Sequence, residues 1–188
     1  MTQLNCKSFA KLNLCLHVLN KRKDDYHNLE SIFQTINLYD CLAFKKNNNK
    51  SINFTTDSKL INPLDNLITK AYKFISVESN KEIGVDIFLK KNIPIGAGLG
   101  GGSSNAAVTL IAINSLFNLN LSKNQLLKIS QNIGSDVPFF IEGGAACVRG
   151  KGDVIESLVS SKKYFVLIFS DISISTQQIF QSLSPKYF

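Results

Sequence analysis

The stretch Pro94-Ile-Gly-Ala-Gly-Leu-Gly-Gly-Gly-Ser-Ser-Asn-Ala-Ala107 decides the reading of this chain. Before it, Val85, Ile87 and Leu89 alternate with Asp86 and Lys90, the pattern of a strand. After it, Ala106, Ala107, Leu110 and Ile111 have helical spacing. The order is strand, glycine loop, helix N-terminus. Glycine lets backbone N–H groups turn inward at φ values other residues avoid. The helix end adds unpaired donors and partial positive charge. Such a junction is an anion site, most simply for phosphate.

Two familiar phosphate loops fit poorly. No Gly-Lys-Ser/Thr follows the glycines, so the Walker A lysine is missing. Gly96, Gly98 and Gly101 satisfy G-x-G-x-x-G, but a dinucleotide fold needs an acidic residue about 20 positions on. From Gly96 to Ser135 there is none.

Pro-x-x-x-Gly-Leu-Gly-x-x-Ser-Ser, here Pro94 to Ser104, resembles the ATP-phosphate loop of the GHMP kinases. Two further stretches sharpen the likeness. One is Ala10-Lys-Leu-Asn-Leu-Cys-Leu-His17 with Asp25-Tyr-His-Asn-Leu-Glu-Ser-Ile-Phe-Gln34 and Leu38-Tyr-Asp40; the other is Ile133-Gly-Ser-Asp-Val-Pro-Phe-Phe140. Together they resemble the branch of that family that phosphorylates a cytidine-diphosphate polyol, with a likeness running from about Lys7 to Phe180. The resemblance implies an α+β fold, the ribosomal-protein-S5-domain-2-like N-terminal lobe, and a small-molecule kinase using ATP, with Mg²⁺ held largely by ATP and water.

It also assigns residues. Pro94, Ile95, Gly96, Ala97, Gly98, Leu99, Gly100, Gly101, Gly102, Ser103 and Ser104 match the ATP-phosphate loop, and Asn66 and Lys91 match positions lining the adenosine site. Asp136 matches the catalytic aspartate, and Lys11 the lysine that pairs with it. Asn13 matches a residue near the substrate. His27 would hydrogen-bond cytosine, Tyr26 and Phe180 would stack on it, and Thr176 would lie beside it.

The residues alone leave some of these open. Asp before Pro is a helix start signal, and by itself a cap is the better reading of Asp136. Lys11, in a run of Leu and Ala, reads first as pointing to solvent from a strand. Asp-Tyr-His reads as a turn with a half-buried aromatic. Ser103 and Ser104 can cap the helix, meet phosphate, or both.

The chain has 188 residues, 44% of them hydrophobic, enough for one sizeable core or at most two small lobes. Net charge is +7. The lysines are scattered rather than interleaved with aromatics, which argues against nucleic acid and leaves room for an anionic substrate. Cys6, Cys15, Cys41 and Cys147 are isolated, so no zinc pattern is present; Cys15 and Cys147 read as core residues. No secretory signal and no stretch long enough to span a bilayer is visible, and a cytoplasmic location is expected.

Along the chain, strands are expected over 7–18 and 29–44 (the latter strand or short helix), around a turn at 24–26. Residues 45–58 read as a polar hairpin connection. A helix over 66–75 is capped by Asp65, a strand covers 84–90, and a helix runs from about Ser103 to Phe117. Ser122 starts a further helix that Gly134 closes at C′. Tyr164-Phe-Val-Leu-Ile-Phe169 reads as a buried strand.

Phe9 stands where family members usually carry proline, and Ser170-Asp171 where a proline-glycine-like turn is common. The domain reading is 1–170 for the ATP-binding lobe and 171–188 for the start of a C-terminal, substrate-side lobe. Family members continue for roughly another hundred residues, about one domain. A lone N-terminal lobe is expected to expose apolar surface, to self-associate and to be marginal as a catalyst. A binding remnant, a lobe supplied in trans and a cut chain are the alternatives.

Overall fold

The computed structural model describes residues 2–24, 27–169, 179 and 182. Its centre is a six-stranded sheet in the order β3-β4-β2-β5-β6, with β1 also paired to β2. The strands are β1 (Gln3–Lys21), β2 (His27–Lys46), β3 (Ile52–Thr56), β4 (Val85–Lys90), β5 (Ala145–Gly150) and β6 (Val154–Leu158). β3 and β4 are parallel; every other pairing is antiparallel. The long strand β2 organises the sheet. Residues 41–46 pair with β4 and residues 29–34 with β5, while β1 runs along nearly its whole length.

Four helices complete the fold: α1 (Leu67–Ser79), α2 (Gly101–Leu116), α3 (Lys123–Gln131) and α4 (Val137–Glu142). α2 is the most enclosed. Ala106, Ala107, Leu110, Ala112, Ile113 and Leu116 are all buried, and they meet Leu42, Phe44, Ile87 and Leu89 of the sheet in one core. A helix apolar around most of its circumference has to lie inside the molecule. That places its N-terminus at a fixed point above β1.

Several elements differ from the sequence reading. Residues 52–56 form a strand, because Ile52, Phe54 and Thr56 alternate and the parallel edge of β4 is available to them. The cap of α1 is Asn66, not Asp65. The Asn66 Oδ1 accepts from the N–H groups of Ile68 and Thr69, and the Asn66 N–H donates to the Thr69 hydroxyl oxygen. α2 starts two residues before Ser103, on Gly100. Gly134 is not the C′ residue of α3, which ends at Gln131 with Asn132 as C-cap; the Gly134 N–H bonds the Ser130 carbonyl instead. Residues 164–169 are not a buried strand. They form no regular element, and Tyr164, Val166 and Ile168 are at least 85% exposed. Their apolar pattern finds no partner strand among the described residues. Cys15 and Cys147 are half-buried rather than core.

Candidate active site

A break in sheet pairing prepares the site. Phe9 pairs with Tyr39 and Lys11 with Thr35, so the register jumps at Ala10 and the 36–38 segment bulges. There the Lys11 N–H turns away from β2 and donates to the Leu99 carbonyl at 2.9 Å, tying the glycine loop to β1. Buried Ala10, Ile93 and Leu99, with Leu12, Ile36 and Leu38 around them, form a small apolar floor under the loop.

The loop has the backbone expected of an anion cradle. Gly96, Gly98 and Gly100 have φ of 75°, 70° and 67°, in the left-handed region. Gly100 is the N-cap of α2, and no side chain caps that end. Ser122, by contrast, caps α3 with its hydroxyl. The first N–H groups of α2 are therefore left for another acceptor. They open on a cleft of about 430 Å³ lined by the 94–103 loop, Leu60, Ile61, Asn66, Leu67, Lys91 and Asn105. Asn105 is buried, and its Oδ1 has no hydrogen-bond partner. An orphaned acceptor in the wall of a cleft calls for a polar ligand. Cleft and loop suit a phosphate-bearing ligand, and the orphaned acceptor would take a donor such as a hydroxyl or amine on it.

The structure separates the two serines. Ser103 lines the cleft. Ser104 is buried and takes a 2.7 Å hydrogen bond from the Ser8 hydroxyl of β1. Neither caps the helix.

Lys11 is 5% exposed, so its solvent-facing reading is overturned. The bulge turns it inward, its stem lies by Gly100, and its ammonium sits 4.6 Å from the centroid of Phe33. The Nζ donates to the Asn13 Oδ1 and lies 3.7 Å from the Asp136 Oδ2. Burial lowers the Lys11 pKa below the usual lysine value, and the Asp136 carboxylate opposes that shift. Asp136 stands at the N-cap position of the short helix α4 but makes no capping bond. Its carboxylate instead faces Lys11, so the side chain does not serve as the helix cap. Pro138 and the edge-to-face rings of Phe33, Phe139 and Phe140 hold α4 in place.

The remaining candidates fall into four groups. Pro94, Ile95, Ala97, Gly101 and Gly102 all line the cleft. Asn66 and Lys91 also line it, but their side chains are engaged. The Asn66 amide caps α1 and donates to the Asn62 and Pro63 carbonyls, while the Lys91 ammonium pairs with Asp40 at 2.7 Å. His27 is buried at the start of β2, opposite Lys21. Tyr26, Thr176 and Phe180 lie outside the described residues. Sequence reasoning missed Asp40, Ser8 and Asn105. Asp40 lay within a quoted motif, yet only its burial shows its importance. Among the described residues, no three His, Cys, Asp or Glu gather where they could hold a metal ion. The described residues therefore supply no all-protein metal cage.

Residues 66–144, which run from the N-cap of α1 through the glycine loop to the end of α4, match the family model described as the GHMP kinases N terminal domain. Over that stretch the chain carries the GHMP kinases N-terminal domain. It is 46% identical over 179 residues to the 4-diphosphocytidyl-2-C-methyl-D-erythritol kinase of Francisella philomiragia, covering 95% of this chain and 65% of that protein. It is 46% identical over 195 residues to the protein of the same name from Prochlorococcus marinus subsp. pastoris, covering all of this chain and 62% of that one. Among solved structures it resembles a crystal structure of 4-(cytidine 5'-diphospho)-2C-methyl-D-erythritol kinase, with a TM-score of 0.80 and 30% identity, covering 97% of this chain and 65% of that one. The chain thus spans just under two thirds of the length of these relatives. The GHMP lobe shares its fold with homoserine kinase from Cytophaga hutchinsonii (TM-score 0.61, 19% identity). No helix among the described residues is long and apolar enough to cross a membrane.

Proposed function

We propose that this chain is the ATP-binding, catalytic lobe of a small-molecule kinase. Its reaction is phosphorylation of the 2-hydroxyl of 4-diphosphocytidyl-2-C-methyl-D-erythritol, a step of non-mevalonate isoprenoid precursor synthesis in the cytoplasm. The observation that carries this reading is the Lys11–Asp136 pair standing beside the uncapped N-terminus of α2. The relatives' names supply the substrate.

In this reading the N–H groups of Gly101, Gly102 and Ser103 and the left-handed glycines before them hold the ATP phosphates. Asp136 orients the acceptor hydroxyl and receives its proton. Lys11 keeps that carboxylate ionised and offsets charge building on the transferring phosphoryl group. Asn13 fixes the lysine's direction. Mg²⁺, when bound with the nucleotide, neutralises phosphate charge. His27 reads the cytosine edge, with Tyr26, Thr176 and Phe180 completing the nucleoside site.

ADP release by the purified chain, given ATP and the cytidylyl substrate, tests the proposal. Turnover supports the kinase. ATP binding without turnover supports a second reading, a non-catalytic nucleotide-binding lobe. No ATP binding by calorimetry would overturn both. The exposed apolar run at 164–169 also implies self-association, which sedimentation at two concentrations would reveal.

A further inference from the structure

Asp40 is the most completely buried charge in the described chain, with no solvent exposure, and it lies outside the catalytic pair. It sits on β2 and reaches across to the turn that follows β4. Its Oδ1 accepts from the N–H groups of Asn92 and Ile93, both at 2.7 Å, and its Oδ2 accepts from the Lys91 ammonium at 2.7 Å. A second side chain, Asn92, ties the same turn to β2 through the Tyr39 carbonyl. A buried carboxylate is costly unless every lone pair is engaged, and this one takes three charge-assisted bonds.

The turn it holds is the seat of the phosphate loop. Ile93 is buried in the floor beneath the loop, and Pro94 begins the loop itself. The first residue of α2 rests directly on this corner. A Cβ placed on Gly101 would come within 3.0 Å of the Ile93 side chain and 3.1 Å of the Lys91 Nζ. The Lys91 cation thus lies against the positive end of α2, an arrangement that costs free energy unless a negative charge sits beside it. Asp40 supplies that charge.

We infer that Asp40 is a positioning residue: by clamping residues 91–93 and neutralising Lys91, it holds the 94–103 loop in its phosphate-binding form before nucleotide arrives. This rests on the proposed ATP site, but its first test does not. In Asp40→Asn, amide hydrogen exchange of residues 96–103 in the ligand-free protein should speed up about tenfold, the loss of one charge-assisted bond. Amides of β4 and of the middle of α2 should stay protected.

Should that variant fail to fold, Asp40→Asn/Lys91→Met removes both charges, leaves no unpaired cation, and should show the same loop-confined acceleration. Unchanged exchange at 96–103 in either folded variant overturns the inference, as does acceleration spread evenly over the sheet. The second test is kinetic. KM for ATP should rise about tenfold in Asp40→Asn while kcat changes less than threefold, because bound nucleotide reorders the loop. A fall in kcat at unchanged KM overturns the inference. Absence of turnover in the parent counts against the kinase reading, and the exchange result still decides the role of Asp40.

Discussion

The Lys11 Nζ stands 3.7 Å from the Asp136 Oδ2, joining the irregular middle of β1 to the first turn of α4. The pair is asymmetric: the lysine side chain is 6% exposed and the aspartate 28%. The cation is enclosed by Phe33, Asn13 and the loop, and the carboxylate keeps one side open. An anchored cation and an accessible carboxylate suit a group that must meet a substrate hydroxyl.

Asp136→Asn should therefore lower turnover on the order of 10²–10⁴-fold, the usual contribution of a general base. Since the side chain makes no cap, the melting temperature should shift little through α4. ATP affinity, read by calorimetry, should stay within a few-fold of the parent. Full activity in this variant would return Asp136 to a purely structural role.

Lys11 should titrate below the surface lysines. Its folded pKa is lowered by burial, so the folded chain binds this proton less tightly than the unfolded chain does. Between the lowered value and the ordinary one, the unfolded state holds more protons, and this group's contribution to stability rises with pH. Asp136→Asn removes the influence that raises the pKa and should move it lower still. Carbon-13 NMR of reductively dimethylated lysines reads both shifts. Co-titration of Lys11 with the exposed lysines would refute the prediction.

The glycine loop offers a graded test. At Gly100 an added Cβ would strike the Phe140 ring at 2.7 Å and approach the Lys11 stem at 3.2 Å, with φ at +67°. Gly100→Val should consequently lower the melting temperature as well as ATP affinity, and cannot separate folding from binding. Gly102 is the better probe. A Cβ there meets only the Leu67 Cδ1 at 3.5 Å. Gly102→Ala should leave stability unchanged or improve it by up to about 1 kcal/mol through helix propensity. Gly102 lines the cleft, and the added methyl should weaken ATP binding there. Equal ATP affinity in parent and Gly102→Ala would place the phosphates elsewhere.

His27 should confer a preference for cytosine. A site built to hydrogen-bond one base penalises another that leaves its polar groups unpaired. CDP should compete with substrate better than UDP does, and His27→Ala should remove the difference. Equal competition in the parent would count against a cytidine site.

The sequence by itself determined the strand–glycine loop–helix junction. Five clustered glycines before an apolar helix leave few other conformations, and local backbone preferences carry that signal. It also determined the motif residues, since Ala10-Lys-Leu-Asn and Gly-Ser-Asp-Val-Pro are contiguous text. Tertiary structure decided what those residues do with their charges. Lys11 points inward because a register jump breaks the regular alternation of β1, which no periodicity could show. Asp136 ignores the helix it begins because a buried cation 125 positions away in the chain faces it. The 164–169 run has the composition of a core strand, yet burial requires a partner surface, and composition carries no information about one. Asp40 gained its place from three donors more than fifty residues distant, a clamp that exists only once β2 and β4 have paired.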